Sequence, residues 1–150
     1  MTKKPVKTLL LDAIKSEVVS VIGSANRVFI DPSRGLREEM DEPYANIFTN
    51  AESSSKKDLY SEKVFAMEVH TWVKQDTDDS AREKAIQISA EIQQKLLPRS
   101  AAPRAICVYI EESDSDCCDV LYYAEGLCVV VSRYTVKYRH AYSDPFNINP

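Results

Sequence analysis

The sequence predicts an α+β domain with two helices and about five to six strands. Three observations carry this expectation. Residues 6–22 and 78–97 repeat apolar side chains at helical spacing, whereas residues 64–73 and 127–142 alternate with a period of two. The chain has 150 residues, 44% apolar and 28% charged, which suits one self-folding core over residues 1–150.

The first helix, "VKTLLLDAIKSEVVSVI", aligns Val6, Leu9, Leu10, Ala13, Ile14, Val18 and Val21 on one stripe. Pro5 suits its first turn, and Gly23 suits a left-handed stop. A short strand "RVFI" follows at 27–30, closed by the turn formers of "DPSRG". After the charged loop "LREEMDE", residues 44–49, "YANIFT", alternate as a second strand behind Pro43.

Residues 50–62 are polar and Ser-rich, and they predict a mobile loop or hairpin tip linking two strands. It is either a solvated turn or a contact loop that orders against a partner. From Val64, one face carries Phe65, Met67, Val69, Thr71 and Val73 and belongs to the core. The other carries Val64, Ala66, Glu68, His70 and Trp72. His70 and Trp72 therefore either pack beneath another element or form part of a subunit interface, where Trp is enriched.

The second helix has Ser80 as its expected cap, Glu83 three residues on, and Pro98 as its stop. Ala81, Ala85, Ile88, Ile92 and Leu96 form its apolar stripe. Three strand-like runs follow, "RAICVYIEE", "CDVLYYAE" and "LCVVVSRYTVKYRHAY", separated by the acidic turn "SDSD" and by Gly126. In the last run Cys128, Val130, Ser132, Tyr134, Val136 and Tyr138 form one row. The opposite row ends in Arg133, Lys137 and Arg139, either a solvated face that discourages edge aggregation or a docking surface for an acidic partner or neighbouring protomer. Residues 143–150, "SDPFNINP", predict an extended C-terminal tail.

A net charge of −4 and a pI near 5.2 argue against a general affinity for nucleic acid. No apolar run approaches the ~20 residues of a membrane span, and cytoplasmic synthesis is expected. Cys107, Cys117, Cys118 and Cys128 are expected as reduced thiols, since a secreted disulfide scaffold is normally smaller and denser in cysteine, and the adjacent Cys117 and Cys118 do not match the spaced pairs of zinc sites. Phosphate-binding glycine loops, nucleophile elbows and HExxH are missing from the sequence, and only His70 and His140 are available as bases. No catalytic, cofactor or metal residue is assigned.

The order helix, strand, charged loop, strand, polar loop, strand, helix and three-stranded finish resembles the tail terminator (tail completion) proteins of long-tailed bacteriophages. The segments that carry the likeness are "KTLLLDAIKS", "RVFIDP", "MEVHTWVK" running into "DSAREKAIQISAEIQQKLL", and "SRYTVKYRH". The resemblance implies a mixed or mostly antiparallel sheet backed by the two helices. It further implies a hexameric ring that caps the tail tube, stops its polymerisation and offers the surface on which the head docks. Its partners would be copies of itself, the tube protein and head–tail connector or neck proteins, with DNA passing through unbound. Its place would be the head-proximal end of the virion's tail, after assembly in the bacterial host's cytoplasm.

A ring uses two unlike surfaces per protomer. His70, Trp72, Arg133, Lys137 and Arg139 are the expected interface residues. Asp76, Asp78, Asp79, Asp114 and Asp116, with Glu111 and Glu112, are the acidic clusters available to line a lumen that repels phosphate. Two other readings stay open, another head–tail connector and a small cytoplasmic enzyme or ligand-binding domain whose site forms only in three dimensions.

Overall fold

The computed structural model describes residues 2–32, 41–114 and 117–148. Two helices and a seven-stranded mixed sheet make up the fold, so the α+β expectation holds with one strand more than expected. The elements are α1 (Val6–Ile22), β1 (Val28–Ile30), β2 (Tyr44–Lys56), β3 (Tyr60–Lys74), α2 (Asp78–Leu96), β4 (Cys107–Glu112), β5 (Cys118–Ala124), β6 (Leu127–Ala141) and β7 (Asp144–Ile148). Short 3-10 turns precede β1 and β4.

The main path runs β1-β2-β3-β6-β4, parallel between β1 and β2 and antiparallel elsewhere. β3 and β6 are both 15 residues long and pair along their whole length, from Tyr60 opposite Ala141 to Lys74 opposite Leu127. Three short strands share the other edge of β6. β5 lies against its start, β4 against its middle and β7 against its end. β4 and β5 run in the same direction along this edge, β4 ending at Glu112 and β5 beginning at Cys118. Arg133 lies between the two pairings: its carbonyl accepts from Ser113 N–H at 3.0 Å and its N–H donates to Cys117 O at 2.9 Å.

The helices cover one face of the sheet. Val6, Leu10, Ile14, Val18 and Ile22 of α1 and Ile92 and Leu96 of α2 share one buried cluster with Ile47, Phe65, Met67, Val69, Tyr134, Val136 and Tyr138. Ala81 and Ala85 close the other end over Val73, Cys128 and Val130, where small side chains let α2 approach the sheet. Alternation in β3 and β6 thus sends the expected rows inward. The helix stripe missed Ser89, which is buried and lies 2.7 Å from the Ser132 hydroxyl.

Three expectations are corrected. Of the two expectations for residues 50–62, the hairpin holds and the mobile loop does not: β2 and β3 continue through them, closed by a short turn, with Lys56 opposite Ser61. Local composition disfavours strand there, but cross-strand contacts compensate, including Lys63 Nζ to Ser54 Oγ at 2.8 Å. Residues 144–148 of the expected tail form β7, where Pro145 is tolerated on an edge strand. Thr77, not Ser80, caps α2: its hydroxyl accepts the Ser80 N–H at 3.2 Å, and Asp78 and Asp79 fill the first turn. Residues 33–40, where a turn and a charged loop are expected, and Asp116 lie outside the described residues.

Candidate functional site

Cross-strand partners share a face, so the register fixes the surface opposite the helices. Its first row is Tyr44, Trp72, Val129 and Leu121; the next is Asn46, His70, Val131 and Asp119; then come Phe48, Glu68 and Arg133. Trp72 is only 4% exposed. Its ring stacks on Tyr44 at 5.8 Å, meets Tyr123 at 4.9 Å, and belongs to a buried cluster with Leu127, Val129 and Val131. It is a core residue of the far face, which excludes it as an exposed interface anchor. His70 is half-buried, with its Nε2 3.3 Å from Glu68 and its ring 4.7 Å from Phe48.

The basic row of β6 is matched by acids of β3 and β5. Arg133 lies 2.7 Å from Asp119 and 3.8 Å from Glu68. Lys137 and Arg139 grip opposite oxygens of Glu62 at 3.1 and 3.0 Å. The aromatic rings of Tyr109 and Tyr60 lie beneath Lys137 and Arg139. Three cations thus meet three carboxylates, and this face does not present the free basic stripe expected for an acidic partner. Sequence reading missed Glu62 because its partner Arg139 lies 77 positions away. Reversing Arg133 or Lys137 would place like charges side by side within the protomer and destabilise it directly.

Glu62 carries the pH dependence of this network. Hydrogen bonds from Lys137 and then Arg139 hold its carboxyl below the usual 4.5, with burial opposing them. Its contribution is therefore present above pH 4.5 and is lost as pH falls through the lowered value. Glu62→Gln should lower stability at neutral pH, and the difference from wild type should shrink in acid; a constant difference in urea titrations from pH 7 to 3 would contradict this.

The acidic candidates separate. Asp78 is structural: its Oδ1 accepts the Gly126 N–H at 2.7 Å, tying α2 to the β5–β6 turn. Asp79 pairs with Arg82 at 3.6 Å, Asp76 is exposed, and Asp114 is exposed at the interruption between β4 and β5. Asp76–79 and Asp114 therefore sit at the two ends of β5 rather than in one cluster.

A cleft of about 130 Å³ opens between α2 and the β4–β5 break, lined by Ser89, Gln93, Glu112, Cys117, Cys118, Ser132 and Tyr134 among others. Burial raises the Cys118 thiol, helped by Cys117 and Asp119, and burial likewise raises the Tyr134 hydroxyl. The Ser89 and Ser132 hydroxyls bond each other, and neither histidine lines the cleft. The Cys118 thiol is thus held protonated at neutral pH with no histidine beside it, a poor arrangement for nucleophilic chemistry. All four cysteines are free; Cys117 and Cys118 are exposed, and Cys107, its thiol pushed up to about 11 by burial, and Cys128 are buried. A thiol reagent at neutral pH should label the first two in the native protein and the other two only after denaturation, as peptide mapping would read.

Among the described residues no group of three or more His, Cys, Asp or Glu is placed to hold a metal, and no helix is long and apolar enough to cross a membrane. No protein-family model matches the chain, and no curated protein matches it in sequence.

Apart from Ile86 on α2, the exposed large apolar side chains of the described residues gather at two ends of the sheet. Leu121, Tyr122 and Tyr123 lie on β5 at the start of β6. Leu59, Tyr142, Phe146 and Ile148 lie around the hairpin tip and β7 at its end, where Tyr142 N–H donates to Leu59 O at 3.1 Å. At ~3.4 Å per residue, β6 separates the two patches by about 45 Å.

Proposed function

We propose that the protein is a structural component of a long-tailed bacteriophage, a tail terminator whose copies form a ring on the end of the tail tube, stop its growth and present the head-docking surface. The observation that carries the reading is the pair of unlike apolar patches at opposite ends of β6. A closed ring joins protomers head to tail, so each needs two different, mutually complementary surfaces well apart on the molecule. Exposed tyrosines and aliphatic side chains within polar surroundings are the composition of such contacts. The arrangement of helices and strands, which resembles that family, supports the same reading, and the network on the far face gives it a rigid protomer. The acidic balance of the chain suits a passage for DNA that must not stick.

The test is polymerisation of the cognate tail-tube protein with and without this protein. Tubes should stop lengthening and carry density at one end in electron micrographs. Unaltered growth and bare ends would refute the terminator reading, and binding to the portal side of heads instead would move the protein to the neck.

A further inference from the structure

The sheet has two unfinished edges among the described strands, one along the hairpin arm of β2 and one along β5. β1 covers β2 only from Ala45 to Ile47, and the Asp31 carboxylate then takes the Thr49 N–H and hydroxyl at 2.8 and 2.7 Å. Beyond Thr49 no described strand pairs with the outer edge of β2, and residues 50–59 are all exposed. β5 is likewise paired on one side only, and all but one of its seven residues are exposed. Such edges leave outward backbone N–H and C=O groups that template strand addition.

The regular runs of the two edges match in length, and their surroundings differ in charge. A bulge interrupts each register, leaving regular runs at residues 52–56 of β2 and 118–122 of β5. Each run is five residues. The β2 run, "ESSSK", has three serines that let another backbone approach closely; its Glu52 is held within the protomer by Lys7 at 3.2 Å and the Tyr138 hydroxyl at 2.9 Å, and Lys56 and Lys57 outnumber Asp58 at its end. Around β5 the chain has no Lys or Arg from residue 110 to 132, while Glu111, Glu112, Asp114, Asp116, Asp119 and Glu125 all fall there.

We infer that residues 52–56 of one protomer add as a strand to the outer edge of β5 in a second copy, with Lys56 and Lys57 set against the acids flanking β5. This rests on the ring reading and specifies its interface. The contact extends the sheet from protomer to protomer along β5, beside Leu121, Tyr122 and Tyr123. Charge complementarity fixes which edge meets which, and disfavours β5 pairing with itself because like charges would face each other.

The experiment uses the full chain in two charge-reversed forms, Lys56→Glu with Lys57→Glu, and Asp114→Lys with Glu125→Lys. Each alone should lose assembly, associating about tenfold or more weakly at low salt. Mixed in equal amounts they should recover it, since every junction in an alternating ring then pairs opposite charges. Amides of residues 52–56 and 118–122 should gain protection from hydrogen exchange in the assembled form. If wild type assembles but both variants do so equally well, the mixture fails to recover, or those amides stay unprotected, this interface is wrong and the ring survives. A wild type that stays monomeric, alone and on tubes, defeats the ring reading and this inference together. All four sites are exposed, so unchanged tryptophan fluorescence should confirm that the variants fold.

Discussion

Trp72→Ala should destabilise the protomer by about 3–5 kcal/mol, the range for removing a large buried aromatic side chain. The side chain is almost fully covered, with Tyr44 stacked on one side and Tyr123 against another. Its loss leaves a cavity in a small cluster on the far face, away from the helices. At this chain length the melting temperature should fall by roughly 10 °C or more. Denaturant unfolding at a concentration where the protein is monomeric measures this without contribution from assembly. An unchanged midpoint, with weakened assembly instead, would return Trp72 to the interface role that its sequence context suggested.

Gly126→Ala should be similarly damaging, for a different reason. Gly126 has φ +74°, and a Cβ there would stand 2.0 Å from the Gln75 carbonyl oxygen. That obstacle is backbone, fixed because Gln75 N–H donates to Gly126 O at 2.8 Å while Asp78 holds the Gly126 N–H. Left-handed strain alone costs about 1–2 kcal/mol. Parting the turn from the start of α2 should bring the total to about 3 kcal/mol or more. Gly23→Ala is the control: its φ is +94°, but its nearest neighbour is the end of the Arg27 side chain at 3.6 Å, so it should lose only about 1 kcal/mol. Equal losses in the two variants would show that strain, not close approach, governs Gly126.

Periodicity was sufficient to read the inward faces of α1, β3 and β6, because burial on one side imposes a period that a single chain records. Gly23 was legible as a helix stop for the same local reason, and it does accept that role with its N–H donating to Val19 O at 2.7 Å. The hairpin arm was not legible. Ser and Lys have little intrinsic preference for strand, and what holds residues 50–56 is pairing with β3. Nor could the meaning of Arg133, Lys137 and Arg139 be read locally, since Glu62, Glu68 and Asp119 reach them only through the β3–β6–β5 register. The proposed interface therefore lies at the sheet edges rather than on the charged face. There, exposed tyrosines and unpaired strands lie together, a juxtaposition set by β6 pairing with three successive partners on one side.

The proposed function requires copies of this chain to close into a ring. Light scattering of the purified protein, across protein and salt concentrations and in the presence of tail tubes, tests it most directly. With a protomer of 17.0 kDa, a closed species of about six copies, or a ring of that mass on tube ends, is the predicted result. A particle of one protomer's mass under every condition, with nothing bound to tubes, would contradict it.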